Sequence, residues 1–287
     1  MVICEAAHGE VINMDVESNQ TSEIPESPIT LEHIKHRIVV MSGKGGVGKS
    51  TVAANLALAL GRRGYSVGLL DVDIHGPTIP KMLGVEDEKP QVENNKLVPV
   101  KVSENIKLIS IAFMLPEKDS PIVWRGPMKS GVIRQFIGDV EWGELDYLVV
   151  DLPPGTGDEP LSIAQTIPES YALIVSTPQD IALLSVRKSI NFAKLLKMPI
   201  AGIVENMSGF VCPHCGEKTD LFKTGGGERA ADEFKIPFLG KIPIDPQIVD
   251  SGDEGTPFVL KHGDSKSGKV FEELVSKIEE FVKDVGA

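Results

Sequence analysis

The segment 43–50 has the residue types and spacing of a loop that binds phosphate. It reads GKGGVGKS, which matches the pattern G-x-x-x-x-G-K-[ST] at every fixed position. Glycines allow the backbone to curl so that its N–H groups face phosphate oxygens. In this pattern Lys49 reaches the β- and γ-phosphates, and the hydroxyl of Ser50 binds Mg²⁺. The predicted nucleotide-binding residues are Gly43, Lys44, Gly45, Gly46, Val47, Gly48, Lys49, Ser50 and Thr51.

Two apolar segments end in aspartates that could lie near the bound metal ion. Asp151 closes the run YLVVD, the Walker B pattern, in which a carboxylate at a strand end lies close to Mg²⁺. We therefore predict Ser50 and Asp151 as the Mg²⁺ ligands. Asp73 follows another strand in LLDVDIHGPTIP, and Asp71 competes with it for the same role. A strand-end aspartate is often only a cap or turn residue, and the phosphate loop is what favours the functional interpretation.

Cys212 and Cys215 form a CxxC pair, which supplies half of the thiolates that a metal site usually needs. Zinc sites and [4Fe–4S] clusters are both commonly held by four ligands. Cys4, the third cysteine, is too isolated in the sequence to complete such a site. A two-fold dimer would bring two pairs together and give four thiolates. The pair therefore allows three interpretations: a bridging iron–sulfur cluster, a bridging Zn²⁺ with His214 as an extra ligand, or a redox dithiol.

These segments follow predicted β-strands, which alternate with helices along the chain. Apolar runs predict strands at 37–41, 66–70, 147–150, 172–175, 200–204 and 238–242, with an excursion containing a hairpin at 97–113. Helices are predicted at 50–60, 129–137, 181–196 and 269–282. This order predicts an α/β fold with a mostly parallel central sheet and helices on both faces. Ligands of such sheets bind at the carboxyl ends of the strands.

Composition and charge restrict the function. The 287 residues carry a net charge of −12, which argues against a broad nucleic-acid-binding surface. No apolar run is long enough to span a membrane, and the N-terminus lacks the plan of a secretory signal. We therefore expect a cytoplasmic protein with neither a nucleic-acid nor a membrane partner. Residues 1–36 hold seven acids and one lysine, which predicts an acidic, disordered tail before a single P-loop ATPase domain over 37–287.

Seven motifs follow one another between about residues 37 and 285. They are GKGGVGKS, LLDVDIHGPTIP, VWRGPMKSG, DYLVVDLPPGTGD, STPQDIAL, GIVENMSGFVCPHCG and KIPIDP. In this order they resemble the Mrp-type iron–sulfur cluster carrier ATPases, a family that includes bacterial ApbC. Lys44, directly after the first glycine, resembles the deviant Walker A class, which also contains MinD, ParA and the nitrogenase iron protein. The resemblance implies a P-loop NTPase fold of the deviant Walker A type.

The resemblance also implies roles at the nucleotide site. In the deviant class two subunits face each other, so that Lys44 reaches the ATP of the partner, and Asp73 positions or activates the attacking water. The implied catalytic residues are then Lys44, Lys49 and Asp73. Asn206, after the strand IAGIVE, resembles the asparagine that reads the adenine edge, which would make ATP the nucleotide.

For the cysteine pair, the resemblance implies a [4Fe–4S] cluster. The family assembles or carries such clusters and delivers them to apo iron–sulfur proteins, with ATP hydrolysis needed for function. Cys212 and Cys215 would then bind the cluster between the two subunits of a homodimer, and Zn²⁺ could substitute for it. The N-terminal four-cysteine cluster of the eukaryotic cytosolic scaffolds has no counterpart here, since Cys4 alone cannot replace it.

Two other functions are consistent with parts of the sequence. A spatial-regulation ATPase like MinD or ParA calls for a basic tail helix or a basic surface. The final predicted helix is acidic instead, with Glu272, Glu273, Glu279, Glu280 and Asp284 against Lys269, Lys277 and Lys283. A zinc-bridged dimeric scaffold, in which ATP only sets the conformation, would use the same four thiolates. The iron content of anaerobically purified protein would distinguish this scaffold from a cluster carrier.

Overall fold

An eight-stranded, mostly parallel sheet lies at the centre of the computed structural model, which describes residues 2–5, 11–14, 31–115, 133–134, 136–212 and 214–286. In spatial order its strands are β14 (Phe238–Lys241), β11 (Ile200–Glu205), β10 (Ser170–Ser176), β3 (Ile34–Met41), β9 (Leu145–Asp151), β4 (Val67–Asp71), β8 (Ile106–Ser110) and β7 (Val100–Lys101). Neighbouring strands are parallel, except that β7 runs antiparallel to β8.

Helices connect these strands, and three short hairpins complete the described elements. The helices are α1 (Lys49–Arg62), α2 (Ile79–Met82), α3 (Asp158–Gln165), α4 (Asp180–Leu195), α5 (Gly226–Phe234), α6 (Pro246–Asp253), α7 (Phe258–His262) and α8 (Lys266–Gly286), with a 3₁₀ turn at Ile111–Met114. The hairpins pair β1 (Val2–Glu5) with β2 (Val11–Met14), β5 (Gln91–Glu93) with β6 (Lys96–Val98), and β12 (Phe210–Val211) with β13 (Lys218–Thr219).

Two apolar cores lie on opposite faces of the sheet, because successive side chains of a strand point in opposite directions. In β3, Val39 and Met41 pack into one core with side chains of α3, α4 and α5. Ile38 and Val40 pack into the other core with side chains of α1, α7 and α8. A parallel sheet is covered on both faces, which explains why its strands are apolar along nearly their whole length. The predicted α/β architecture is confirmed.

The observed elements differ from the predicted ones in two places. β3 begins at Ile34, a buried residue, and so extends into the segment predicted as the tail. β8 lies within the predicted excursion at 97–113, yet it pairs with β4 in the main sheet. The predicted hairpin is present, since β7 runs antiparallel to β8. The segment is not an excursion, however, because both strands belong to the main sheet, where the ammonium of Lys107 donates a hydrogen bond to the carbonyl of Trp142 at 2.8 Å.

Parts of the prediction lie outside the described residues. These parts are the motif VWRGPMKSG, most of the helix predicted at 129–137, and most of the tail. The described residues of that helix, 133–134 and 136–137, are helical. Of the tail before residue 31, only the backbone pairing of β1 with β2 is described, and the domain boundary at residue 36 stays a prediction. None of the described helices is long and apolar enough to cross a bilayer.

The C-terminal helix α8 covers α1, the helix that begins at the phosphate loop. Leu274 of α8 is buried in the same core as the side chains of α1. Arg63, at the end of α1, donates hydrogen bonds to Glu272 and Glu279 of α8, each at 3.0 Å. The position of the phosphate loop therefore depends on the last helix of the chain.

Leu274→Ala is expected to lower the free energy of unfolding by about 2–5 kcal/mol, because it removes buried methyl groups and leaves a cavity. Leu260→Ala in α7 is the matched control, since it removes the same atoms from a side chain that is 44% exposed. Its effect should stay within about 0.5 kcal/mol. Urea denaturation measures both values. Equal midpoints for the two variants would contradict the contribution assigned to α8.

Candidate functional site

The phosphate loop connects the carboxyl end of β3 to the N-terminus of α1. Two positions of this loop must be glycine, because neighbouring atoms leave no room for a side chain. A Cβ atom at Gly43 would collide with the carbonyl oxygen of Ser185 in α4, and one at Gly48 would collide with the side-chain amide of Asn206. Gly48 also has a φ of +76°, which glycine adopts without strain. The loop is therefore fixed between α4 and the end of β11, and the unpaired N–H groups of α1 remain available to an anion.

Lys49 is buried and connects the loop to both predicted switch carboxylates. Its Nζ donates hydrogen bonds to Oδ1 of Asp151 at 2.7 Å and to Oδ2 of Asp73 at 3.2 Å. The hydroxyl of Ser50 donates a hydrogen bond to Oδ2 of Asp151 at 2.5 Å. The structure thus brings together the side chains predicted to act on the phosphates and on the metal ion.

Asp71 lies behind Asp73, within the sheet and opposite Asp151 of the neighbouring strand. It is fully buried and accepts hydrogen bonds from Oγ of Ser110 at 2.8 Å and from the N–H of Asp73 at 3.2 Å. Burial, followed by the charge of Asp151, raises the pKa of Asp71 to about 8. Asp73 instead bonds Lys49 and lines the cavity at the phosphate loop. The geometry therefore favours Asp73 for the predicted catalytic role, and Asp71 supports its backbone.

The oxygen atoms at this site fit Mg²⁺. Ser50 and Asp151 form a hydroxyl–carboxylate pair, and Oδ1 of Asp73 is buried with no hydrogen-bond partner among the described residues. Such an oxygen is costly to bury, and hard cations bind through oxygens of this kind. Burial raises the pKa of Asp151, whereas the charge of Lys49 opposes that rise. Positive charge therefore stabilises the ionised carboxylates here.

A cavity of about 300 Å³ opens at the phosphate loop. Its lining contains residues 44–51 and Asp73, with Lys44 half-buried. Gly43 lies against α4, as described above. The side-chain amide of Asn206 donates a hydrogen bond to the carbonyl of Val47 at 2.9 Å, a contact that the sequence did not predict. Asn206 therefore supports the loop, and its reading of adenine stays a prediction.

Sequence reasoning missed four other residues of the cavity lining, of which Ser42 directly precedes the phosphate loop. Thr78 and Met82 belong to the segment that follows Asp73, and Pro154 follows Asp151. The available signal for these three was their place directly after the two switch aspartates, where a chain leaving the sheet must pass the bound ligand. Residues of many types can line a cavity, so only the position of these residues along the chain could have indicated this role.

The loop after β11 carries Cys212 and Cys215 in a tight turn. The N–H of Cys212 donates to the carbonyl of Glu217, and the N–H of Gly216 donates to the carbonyl of Cys212, both at 2.9 Å. The N–H groups of Cys215 and then of His214 lower the pKa of the Cys212 thiol, since they stabilise the thiolate. Cys212 is half-buried, Cys215 is exposed, and neither forms a disulfide.

Within the described part of one chain, the cysteine pair does not form a complete metal site. Over the described residues, no group of three or more His, Cys, Asp or Glu side chains is arranged to hold a metal ion. The side chain of His214 is exposed. The side chain of Cys4 lies outside the described part of the chain. The geometry is therefore consistent with the half-site that the sequence predicted.

The family model of the NUBPL iron-transfer P-loop NTPases, of the ParA type, matches residues 33–279. The chain belongs to this family. An iron–sulfur cluster carrier protein from Methanocaldococcus jannaschii is 51% identical over 267 residues, which cover 93% of this chain and 90% of that protein. A cytosolic Fe–S cluster assembly factor, the NUBP2 homolog of Dictyostelium discoideum, is 48% identical over 243 residues, which cover 83% of this chain and 91% of that protein.

Solved structures share the architecture of this iron-transfer P-loop NTPase. A nucleotide-binding protein from Archaeoglobus fulgidus, in complex with ADP, is 46% identical with a TM-score of 0.71, covering 79% of this chain and 89% of that one. The cell division ATPase MinD from Pyrococcus furiosus is 27% identical with a TM-score of 0.63, covering 85% and 98%. The predicted P-loop NTPase fold and the resemblance to iron–sulfur cluster carriers are both confirmed.

Asp71→Asn is expected to flatten the pH dependence of stability. The folded protein keeps Asp71 protonated up to a pKa of about 8, whereas the unfolded chain loses that proton near pH 4. The free energy of unfolding of the wild type should therefore fall as the pH rises from about 4 to about 8. The variant cannot titrate at this position, so its stability should change less over that range. Urea midpoints across the range measure the slopes, and parallel profiles would show that Asp71 is ionised in the folded state.

Proposed function

We propose that this protein is an ATP-dependent carrier that binds a [4Fe–4S] cluster between two copies of the chain and transfers it to apo iron–sulfur proteins. The relatives from M. jannaschii and D. discoideum are named as a cluster carrier and a cluster assembly factor. The observation that carries the proposal is the Cys212–Cys215 pair, on a loop whose first residue, Asn206, contacts the phosphate loop.

The cysteine pair is suited to a cluster that is shared and released. A four-ligand iron or zinc site needs two thiolates more than one pair supplies. Two copies related by a two-fold axis supply them without any further residue. The N–H groups around Cys212 favour the thiolate, the form that binds metal. Such a site opens when the subunits separate, so the cluster is cargo that an apoprotein can receive.

ATP binding acts on the centre formed by Lys49 and the carboxylates. Phosphate oxygens compete with Asp73 and Asp151 for the ammonium group, while the N–H groups of residues 43–51 bind the remaining oxygens. Ser50 and Asp151 would hold Mg²⁺, which would supply positive charge to neutralise that of the phosphates. Asp73, no longer bonded to Lys49, then orients the attacking water.

Lys44 completes the site across the dimer. It lies in the lining of the cavity at the phosphate loop, and we place its ammonium group against the ATP bound by the partner subunit. There it neutralises charge on the transferring phosphoryl group in the manner of an arginine finger. Hydrolysis is then possible only in the dimer, which is also the form that holds the cluster.

We place this homodimer in the cytoplasm, with apo iron–sulfur proteins as its partners. The D. discoideum relative is named a cytosolic factor. The net charge of −12 does not favour a nucleic-acid partner. Zn²⁺ is the competing occupant of the four thiolates, and metal analysis of the protein distinguishes the two.

Lys49→Ala is expected to weaken binding of Mg·ATP by roughly ten- to a hundredfold and to abolish hydrolysis, because a hydrogen bond to a charged group contributes about 1.5–3 kcal/mol. Lys44→Ala is the matched variant, with the same chemical change in the same loop. It should bind Mg·ATP nearly as well as the wild type but hydrolyse it more slowly. Calorimetry gives the affinities, and phosphate release gives the rates.

Two results would contradict these assignments. Wild-type hydrolysis by Lys49→Ala would contradict the nucleotide site. Unchanged turnover by Lys44→Ala, in protein shown to be dimeric, would contradict the action of Lys44 across the dimer. Thermal unfolding of both variants establishes that the differences do not reflect loss of the fold.

Anaerobic reconstitution with iron and sulfide is expected to give about 2 Fe per chain in a dimer, because four cysteines hold a [4Fe–4S] cluster and each chain supplies two. Cys212→Ala and Cys215→Ala should each lose the cluster and keep binding of Mg·ATP. Cys4→Ala is the matched control and should keep the cluster. Iron analysis combined with size-exclusion chromatography measures the outcome. A cluster of about 4 Fe on a monomer would contradict the shared site, and zinc without iron in anaerobically purified protein would favour the zinc-bridged scaffold.

A further inference from the structure

Glu205, the last residue of β11, has a fully buried carboxylate. It belongs neither to the nucleotide site nor to the cysteine pair. Its Oε1 accepts hydrogen bonds from Oγ of Ser208 at 2.5 Å and from the N–H of Gly225 at 2.9 Å. Its Oε2 accepts a hydrogen bond from the N–H of Gly227 at 2.6 Å. Ser208 lies at the start of residues 206–225, which we call the cysteine loop; Gly225 is its last residue, and Gly227 lies directly after it in the first turn of α5. One carboxylate therefore holds both ends of the loop that carries the cysteine pair.

The adjacent residue, Asn206, is fixed to the nucleotide site. Its side-chain amide donates a hydrogen bond to the carbonyl of Val47 at 2.9 Å, and its N–H donates to the carbonyl of Ser176 at 2.8 Å. Any Cβ at Gly48 would displace that amide. A shift of the phosphate loop therefore acts on the strand end at which Glu205 holds the cysteine loop, and two consecutive residues join the two sites.

Capping of helix α5 does not by itself explain the hydrogen bonds of Glu205. A helix N-terminus is commonly capped by a short polar side chain at the N-cap position, but that position here is Gly225, which offers no side chain. The capping carboxylate comes from the end of β11 instead, and it also accepts a hydrogen bond from Ser208, which a helix cap does not require. A buried carboxylate that lost these donors would be costly, so the two loop ends move together.

The position of the cysteine loop is set by its ends. Residues 214–224 are all exposed. At the start of the loop, the N–H of Ser208 donates to the carbonyl of Ile242 at 2.8 Å. Just beyond its end, Gly226 packs against the carbonyl of Pro178 too closely for a side chain. Among the described residues, Glu205 contacts the start of the loop at Ser208 and its end at Gly225.

We propose that Glu205 is a positioning residue that couples the cysteine loop to the nucleotide site, so that nucleotide binding changes the metal affinity of the cysteine pair. The inference rests on the proposed function, in that the pair binds metal and the phosphate loop binds nucleotide. The coupling is reciprocal, so bound metal changes the nucleotide affinity by the same factor.

Glu205→Gln tests the coupling, because it keeps the shape of the side chain but turns one acceptor into a donor that faces the N–H groups of the loop end. Co²⁺, followed by its thiolate-to-metal charge-transfer absorption, is titrated into each protein with and without Mg·ADP. For the wild type the two Co²⁺ affinities should differ by about fivefold or more, and for Glu205→Gln by less than about twofold.

Glu228→Gln is the matched control. Glu228 also lies in the first turn of α5, but it is exposed and bonds Lys241 at 2.6 Å rather than the loop ends. Its substitution removes a similar charge and should keep the wild-type ratio of affinities. Ser208→Ala removes a single donor to Glu205 and should lower the ratio in part, which decides the question if Glu205→Gln does not fold.

The ratio distinguishes coupling from a purely structural role, since a loss of loop structure alone would change both Co²⁺ affinities equally. A wild-type ratio in both Glu205→Gln and Ser208→Ala, or a ratio of one in the wild type, would overturn the coupling and leave the cluster-carrier proposal intact. A wild type that takes up no iron and sulfide would contradict the proposed function, and the Co²⁺ ratios would still test Glu205.

Discussion

The arrangement of the nucleotide site depends on one buried ammonium group, that of Lys49. It pairs with the carboxylates of Asp73 and Asp151, at a place where an unpaired charge of either sign would be costly. The pairing requires β9 and β4 to end beside the loop that follows β3, and the strand order β3-β9-β4 meets that requirement. The ammonium group is thus already desolvated and paired, and an incoming phosphate takes the place of the carboxylates as its partner. The site is therefore organised before its ligand binds, which is the condition for strong electrostatic stabilisation.

Much of this centre could be predicted from the sequence, because each of its residues follows an apolar strand in a motif with one dominant use. Lys49, Asp73 and Asp151 fall within hydrogen-bonding distance as the parallel fold requires. Asn206 could not be placed in this way, since its contact depends on the conformation of Gly48, far away in the sequence. Glu205 has no local motif, because two of its three partners, Gly225 and Gly227, lie beyond a long loop. The main sheet was predicted except where β8 alternates like a hairpin strand.

The two sites differ in how much of their environment one chain supplies. The charges of the nucleotide site are balanced within the chain, since Lys49 lies between its carboxylates. The cysteine pair has its thiolate stabilised by backbone N–H groups but, over the described residues, lacks the further ligands of a metal site. A site whose charges are balanced within one chain can bind its ligand in that chain alone. A half-site can bind a metal only when a second chain supplies the other ligands. The coupling that we propose through Glu205 would let one event affect the other.

The burial of α1 restricts the order in which the chain can fold during synthesis. Nearly every residue of this helix is buried, yet the helices that cover it, α7 and α8, lie far after it in the sequence. β3 likewise lies between β9 and β10, both of which follow it in the sequence. At ribosomal rates of about 5–20 residues per second, the helices that cover α1 are synthesised roughly 10–40 s after it. Each nascent chain therefore exposes the apolar faces of α1 until the helices that cover them have been made.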